Sequence, residues 1–130
     1  MDIRTHLKID RGLCGQPLEL GQGFARVELE TTSDMEADDS GLVHGGFVFG
    51  LADFAAMLAV NHPNVVLGRA SSRFLKPVRS GQKLEAMAEI VLRDGHKKTV
   101  QVEVSREGEA VMSGEFVCYE LESHVLEGRE

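Results

Sequence analysis

The run Gly45–Val60 (GGFVFGLADFAAMLAV) contains a single charged residue, Asp53. It is too long for an ordinary strand and apolar nearly all round, so it reads as a helix buried on most sides. It is shorter than a membrane span and carries a charge, which favours a core helix over a transmembrane one. Asn61-His62-Pro63 stops it. Such a helix needs a sheet curled about it and further cover from elsewhere, which a second copy of the chain supplies most simply. Burying a carboxylate among Phe, Leu and Met is costly unless it is paired or protonated. Just upstream, His44-Gly45-Gly46 opens the helix, where unpaired N–H groups and a partial positive charge gather. One segment therefore offers an anion-binding end and, two turns on, a carboxylate. Together they can polarise a carbonyl and activate a water.

The rest of the chain fits around that helix. Its 130 residues suit one domain, 1–130, and its 42% hydrophobic and 27% charged residues suit a globular protein. A net charge of −7 argues against binding nucleic acid or anionic membranes, while leaving room for a local basic patch facing a phosphorylated ligand. The opening MDIRTHLKIDRG lacks the apolar core of a secretory signal, so a cytoplasmic location is expected. Cys14 and Cys118 form no CxxC pair and read as two buried thiols, with a disulfide the lesser alternative. His6, His44, His62, His96 and His124 show no ligand spacing, so no metal is expected.

A short helix is expected near Thr5–Ile9, and a strand over Phe24–Thr32, where Ala25, Val27 and Leu29 alternate with Arg26, Glu28 and Glu30. The acidic stretch Ser33–Gly41 reads as a loop. Four strands follow the helix, at Val65–Leu75, Lys83–Arg93, Lys98–Arg106 and Glu109–Leu121. Leu84, Ala86, Ala88, Ile90 and Leu92 should face one way in the second, as should Val100, Val102 and Val104 in the third. The connectors Ser80-Gly81, Asp94-Gly95 and Glu107-Gly108 favour antiparallel neighbours. Residues 122–130 are polar and expected to fray.

The stretch VHGGFVFGLADFAAMLA resembles the central helix of hotdog-fold acyl-CoA thioesterases, in particular the phenylacetyl-CoA thioesterase (PaaI-like) group. HGG opens that helix and an acid follows the histidine by nine positions, as Asp53 follows His44. GRASSRFLKPVRSGQKLEAMAEI resembles the strand, proline corner and strand after it, so the likeness covers about residues 24–121. It implies an α+β hotdog fold, a curled antiparallel sheet wrapped around one long central helix. It implies hydrolysis of a small or medium acyl-CoA or acyl-carrier thioester, with coenzyme A part of the substrate and no separate cofactor. Carried over, the Gly45 N–H binds the thioester carbonyl, with His44 and Gly46 beside it. Asp53 acts as general base or nucleophile from across a subunit interface. The expected partners are the acyl-CoA and the chain itself, as a homodimer or a homotetramer built as a dimer of dimers, with no nucleic acid or membrane. Many relatives carry Asn or Gln six residues before the histidine; here Asp38 stands there, so either the loop alignment shifts or that polar partner is changed, and a second carboxylate near Asp53 would raise one of the two pKa values.

Each residue also has a plainer reading. Asp53 could be a structural acid, and Gly45 and Gly46 could serve backbone packing alone. His44 is expected to cap or hydrogen-bond the helix start rather than act as a base. Arg73, Lys76 and Arg79 are either a solvated edge or contacts to CoA phosphates, as are Arg93, Lys97 and Lys98 around the Asp94-Gly95 turn. Phe47, Phe49, Phe54 and Met57 read as core, with one or two lining an acyl channel. Ser71 and Ser72 read as strand polar residues. The strongest rival to an enzyme is a non-catalytic acyl-CoA-sensing hotdog protein. Asp53 and an N-terminal lead too short for a helix-turn-helix domain weigh against that rival. A hotdog hydratase is a third reading, which the HGG…Asp arrangement opposes.

Overall fold

The computed structural model describes residues 1–128. In chain order it contains α1 (Arg11–Cys14), β1 (Gln16–Gly21), β2 (Phe24–Glu30), a 3-10 turn at Ser33–Met35, α2 (Gly45–Val60), β3 (Val65–Phe74), β4 (Lys83–Asp94), β5 (Lys97–Arg106), β6 (Glu109–Glu120) and a second 3-10 turn at Val125–Glu127. The strands form one antiparallel sheet in the order β1-β2-β4-β5-β6-β3, curled around α2.

The period-2 pattern places the core. Ala25, Val27 and Leu29 on β2, Leu84, Ala86 and Ala88 on β4, Val100, Val102 and Val104 on β5, and Met112, Phe116 and Cys118 on β6 all turn inward and are buried. Against them α2 presents Leu51, Ala55, Leu58 and Ala59. Small side chains on both sides let the helix sit close to the sheet, while each buried Leu, Val or Phe contributes roughly 1.5–3 kcal/mol. Asn61 ends α2 in the left-handed region (φ +52°), with its N–H on the Met57 carbonyl at 2.8 Å.

Several sequence expectations are corrected. Thr5–Ile9 is not helical: His6 takes φ +54° and the Ile9 N–H donates to the His6 carbonyl at 3.2 Å. Helix starts later, at Arg11, because the Asp10 carboxylate accepts from the Gly12 and Leu13 N–H groups. β1 is an additional strand, hidden in the sequence by Pro17 and glycines; it lies at the sheet edge, where proline is tolerated. Leu92 points away from the core and is 59% exposed, because a bulge between Ile90 and Leu92 flips the alternation. Ser80-Gly81 is no hairpin turn between neighbours: β3 pairs with β6 and β4 with β2, so the connector between β3 and β4 crosses the end of the sheet. Of the expected frayed tail, Val125–Glu127 forms a turn whose Leu126 N–H is capped by His124 Nδ1, and residues 129–130 lie outside the described residues. Cys14 is half-buried and Cys118 buried, both as free thiols.

Candidate functional site

The start of α2 is held by backbone bonds from three directions. The Val43 N–H donates to the Val78 carbonyl (2.8 Å), the His44 N–H to Met35 (2.9 Å) and the Phe47 N–H to His44 (3.0 Å). His44 stands at the cap position and bonds there through its backbone, but its imidazole makes no capping bond. The ring instead folds over Gly46, where a Cβ would lie 3.0 Å from it, and meets Phe47 edge-on at 6.3 Å. With no side-chain cap, the first N–H groups of the helix remain open to a ligand. At Gly45 the three atoms nearest to an added Cβ all belong to the Phe74 ring, the closest at 3.5 Å. Glycine here lets the end of β3 close over the helix start.

Gly46, Phe49, Gly50 and Asp53 share the one incompletely covered stripe of α2, recurring at three- and four-residue spacing. A Cβ on Gly50 would meet nothing within 4 Å. On this stripe Asp53 keeps one carboxylate oxygen, Oδ1, buried without a hydrogen-bond partner among the described residues. Burial pushes its pKa up to about 6. Desolvation also pushes the Cys118 thiol up to about 12, with the Asp53 charge adding to it. The Cys14 thiol is raised by burial first, then by Asp10 and Asp53. Asp38 plays no part in the Asp53 shift within the protomer. Its exposed carboxylate accepts from the Ser40 N–H (2.9 Å) and the Leu42 N–H (3.3 Å), organising the loop before the helix.

Gly45 and Asp53 lie eight residues apart on one straight helix, which separates them by about 12 Å along its axis. A carbonyl held at the first and a water held at the second would each need contacts of about 3 Å. One protomer therefore cannot apply both groups to the same bond.

The expected basic residues separate into two places. Lys76 and Arg79 line a cleft of about 550 Å³ beside the helix start, together with Arg106, Gln82 and Glu109. Arg106 was missed by sequence reasoning. It donates to the Pro77 carbonyl (2.7 Å) and Gln82 Oε1 (3.1 Å) and pairs with Glu109 at 2.9 Å, while Lys76 approaches Glu109 at 3.6 Å. Three cations and one carboxylate line this cleft, and the Glu36 carboxylate, held by the Ser80 hydroxyl, lies close to Gly41 at its edge. Arg73 is exposed on β3, with Ser71 and Ser72 nearby in the same strand. Arg93, Lys97 and Lys98 sit at the opposite end of the sheet, beyond the C-terminus of α2. Lys98 is also only 9% exposed, and its ammonium is held by the Gly95 carbonyl and by Glu120 at 3.1 Å. It is corrected from ligand contact to internal ion pair. Phe47 is half-buried against the core, close to His44. Among the described residues no cluster of His, Cys, Asp and Glu could hold a metal ion, and no helix is long and apolar enough to cross a membrane.

A family model described as the thioesterase superfamily matches residues 40–113. The crystal structure of an uncharacterized protein from Pyrococcus horikoshii superposes with a TM-score of 0.97 at 56% identity, covering 98% of each chain. That of a variant of the phenylacetic acid degradation protein PaaI from Thermus thermophilus gives 0.78 at 33% identity, covering 84% of this chain and 95% of that one. Among curated proteins, a methylthioribose-1-phosphate isomerase from Aquifex aeolicus is 52% identical over 89% of this chain but only 25% of its own length. The transcription factor FapR from Caldanaerobacter subterraneus is 30% identical over 86% of this chain and 56% of its own. The chain thus spans a quarter of the first relative and about half of the second.

Proposed function

Because the chain belongs to the thioesterase superfamily, with the hotdog fold of its PaaI-like group, we propose that it hydrolyses the thioester of a small or medium acyl-CoA or acyl-carrier substrate. One observation carries this reading: a buried carboxylate oxygen without a partner, on the uncovered stripe of a helix whose start offers free N–H groups. Acids perturbed by burial concentrate at reacting sites.

The assembly is a dimer. β3 ends the sheet with its outer edge unpaired, and strand pairing there joins two sheets across a two-fold axis. The two α2 helices then run antiparallel, their Gly46–Gly50–Asp53 stripes facing. Asp53 of one protomer meets the partner's Gly45, which overcomes the 12 Å separation within either chain. Convex-face residues such as Met87 and Tyr119 offer a second contact for a dimer of dimers.

In the reaction the Gly45 N–H donates to the thioester carbonyl oxygen and stabilises the oxyanion, a contribution of about 3–4 kcal/mol. Asp53 accepts a proton from water as the water oxygen bonds to the carbonyl carbon. The tetrahedral intermediate then expels the thiolate, and the acid product and free thiol result. Asp53 attacking directly, with an anhydride hydrolysed afterwards, is the variant of the same scheme. Lys76, Arg79 and Arg106 receive the phosphates of the CoA. The reaction needs no metal or further cofactor, and a cytoplasmic location agrees with the CoA substrate.

The similarity to FapR supports a second reading, a non-catalytic acyl-CoA-binding protein. Thiol release from a panel of acyl-CoAs, run beside Asp53→Asn, separates the two. Turnover in the parent that disappears in the variant supports the enzyme. Tight acyl-CoA binding by both proteins, with no turnover by either, replaces it with the sensor.

A further inference from the structure

The N-terminal residues before α1 lie outside the stretch matched by the family model, yet they are built firmly onto the fold. The Asn61 side chain ties them down, accepting from the Arg4 N–H and donating to the Asp2 carbonyl, both at 2.8 Å. Thr5 is buried, Ile3 and Ile9 pack on the core, and the Asp10 cap fixes the far end. Between these anchors the arm arches away from the start of β3 and leaves a cavity of about 590 Å³. Half of its lining is apolar (Leu7, Ile9, Pro63, Val65, Val66 and Val125), and Arg4, His6, Lys8 and His124 stand among the polar half. Leu7 is left 72% exposed by its own protomer.

The open edge of β3 leads directly into this cavity, since Val65 and Val66 belong to both. A strand that pairs with its own copy about a two-fold axis within one sheet must run antiparallel to it, residue i meeting j and j meeting i. If the full strand is used, Val65 faces the partner's Phe74. The other end of β3 carries an apolar pair that its own protomer leaves uncovered, Phe74 at 55% and Leu75 at 48% exposed. A cavity with an apolar side and an uncovered pair of apolar side chains are thus brought together twice by one symmetry axis. Phe74 is also the residue lying over Gly45.

We propose that the cavity under the N-terminal arm receives the partner's Phe74 and Leu75, so that each arm braces the carbonyl-binding helix start of the other protomer. The inference rests on the β3-paired assembly proposed above and needs no assumption about turnover. Because Phe74 covers Gly45, loss of the brace loosens the partner's site as well as the dimer.

The test uses Leu7→Ala, Leu75→Ala and their combination, with dimer dissociation measured by sedimentation. Both residues are surface-exposed in the protomer, so its fold should persist. Asn61→Gly adds an independent probe, keeping the left-handed helix stop while removing both tethers. Each single change should weaken the dimer about tenfold, and the double change little more than either alone, because the two side chains share one contact. Asn61→Gly should reproduce the weakening without loss of helix content. Full additivity, or a dimer as tight as the parent in all variants, overturns the brace. So does unchanged association with altered acyl-chain preference, which would mark the cavity as a substrate pocket. A parent that stays monomeric at all concentrations removes the assembly along with the brace, whereas a dimeric parent without turnover removes only the enzymatic reading.

Discussion

Strands β5 and β3 are each ten residues long, yet one is finished within a single chain and the other is not. β5 lies between β4 and β6, and its inward Val100, Val102 and Val104 are fully buried. β3 has one neighbour, carries Gly68, Ala70, Ser71 and Ser72 through its middle, and ends on exposed Phe74. The same contrast divides α2 between its sheet-facing side and the Gly46–Gly50–Asp53 stripe. Asp53 and Gly45, the groups proposed to act on the thioester, lie on the unfinished side, whereas the cationic cleft borrows Arg106 from the end of β5. On the proposed reading, stability comes from the part that one chain completes, and turnover from the part that a second copy would complete.

The largest effect expected from breaking this division is kinetic. Asp53→Asn should reduce turnover by about 10²–10⁴-fold with acyl-CoA binding retained, as seen by thiol release and calorimetry. In the parent, kcat/KM should rise with pH through about 6 and level off above it, since the base acts only when ionised. A flat profile from pH 5 to 8 would remove Asp53 as the base.

The same substitution should stabilise the dissociated protomer. The folded pKa of about 6 lies above the ordinary 3.8, so as pH rises the unfolded chain releases its proton first and folding is penalised. The penalty is absent below pH 3.8 and complete above about pH 6. Asp53→Asn should therefore gain up to about 3 kcal/mol in urea unfolding of dilute protein at pH 8, shrinking to nothing in acid. Val102→Ala, on the finished side, should cost about 2 kcal/mol in the same measurement and leave the dimer constant unchanged. Ser71→Asp, on the open edge, should do the reverse, weakening association about tenfold or more while the protomer unfolds as before. If Val102→Ala and Ser71→Asp instead act alike, the division is wrong. The smallest effect belongs to Lys83→Ala, which loses the exposed 3.8 Å pair with Glu28 and should shift stability by less than about 1 kcal/mol.

Legibility did not follow that line, since β3, expected at Val65–Leu75, spans Val65–Phe74. β2, β5, β6 and the first half of β4 could be read because one chain decides which face of each is buried, and the length and composition of α2 left little choice. Asp53 and the HGG start could be read because charge and glycine are conspicuous in an apolar run. β1 could not, because Pro17 and its short span look like a connector until β2 offers it a partner. Leu92 was misplaced because nothing local announces a bulge. Lys98 shares the parity of Val100, Val102 and Val104, and the alternation that buries them turns Lys98 inward too. Arg106 carried no signal, since its place beside Lys76 and Arg79 depends on a connector that crosses the sheet end.

The bulge in β4 has a further consequence for how the molecule behaves in bulk. By turning Leu92 outward as well, beside Val91 and near Met87 on the same strand, it leaves a greasy ridge on the convex face. At neutral pH a net charge of −7 keeps such ridges on different molecules apart. Near the isoelectric point of about 5.2 that repulsion vanishes while the ridge remains. Solubility should pass through its minimum there, and added salt, by screening the charge, should widen the trough toward neutral pH.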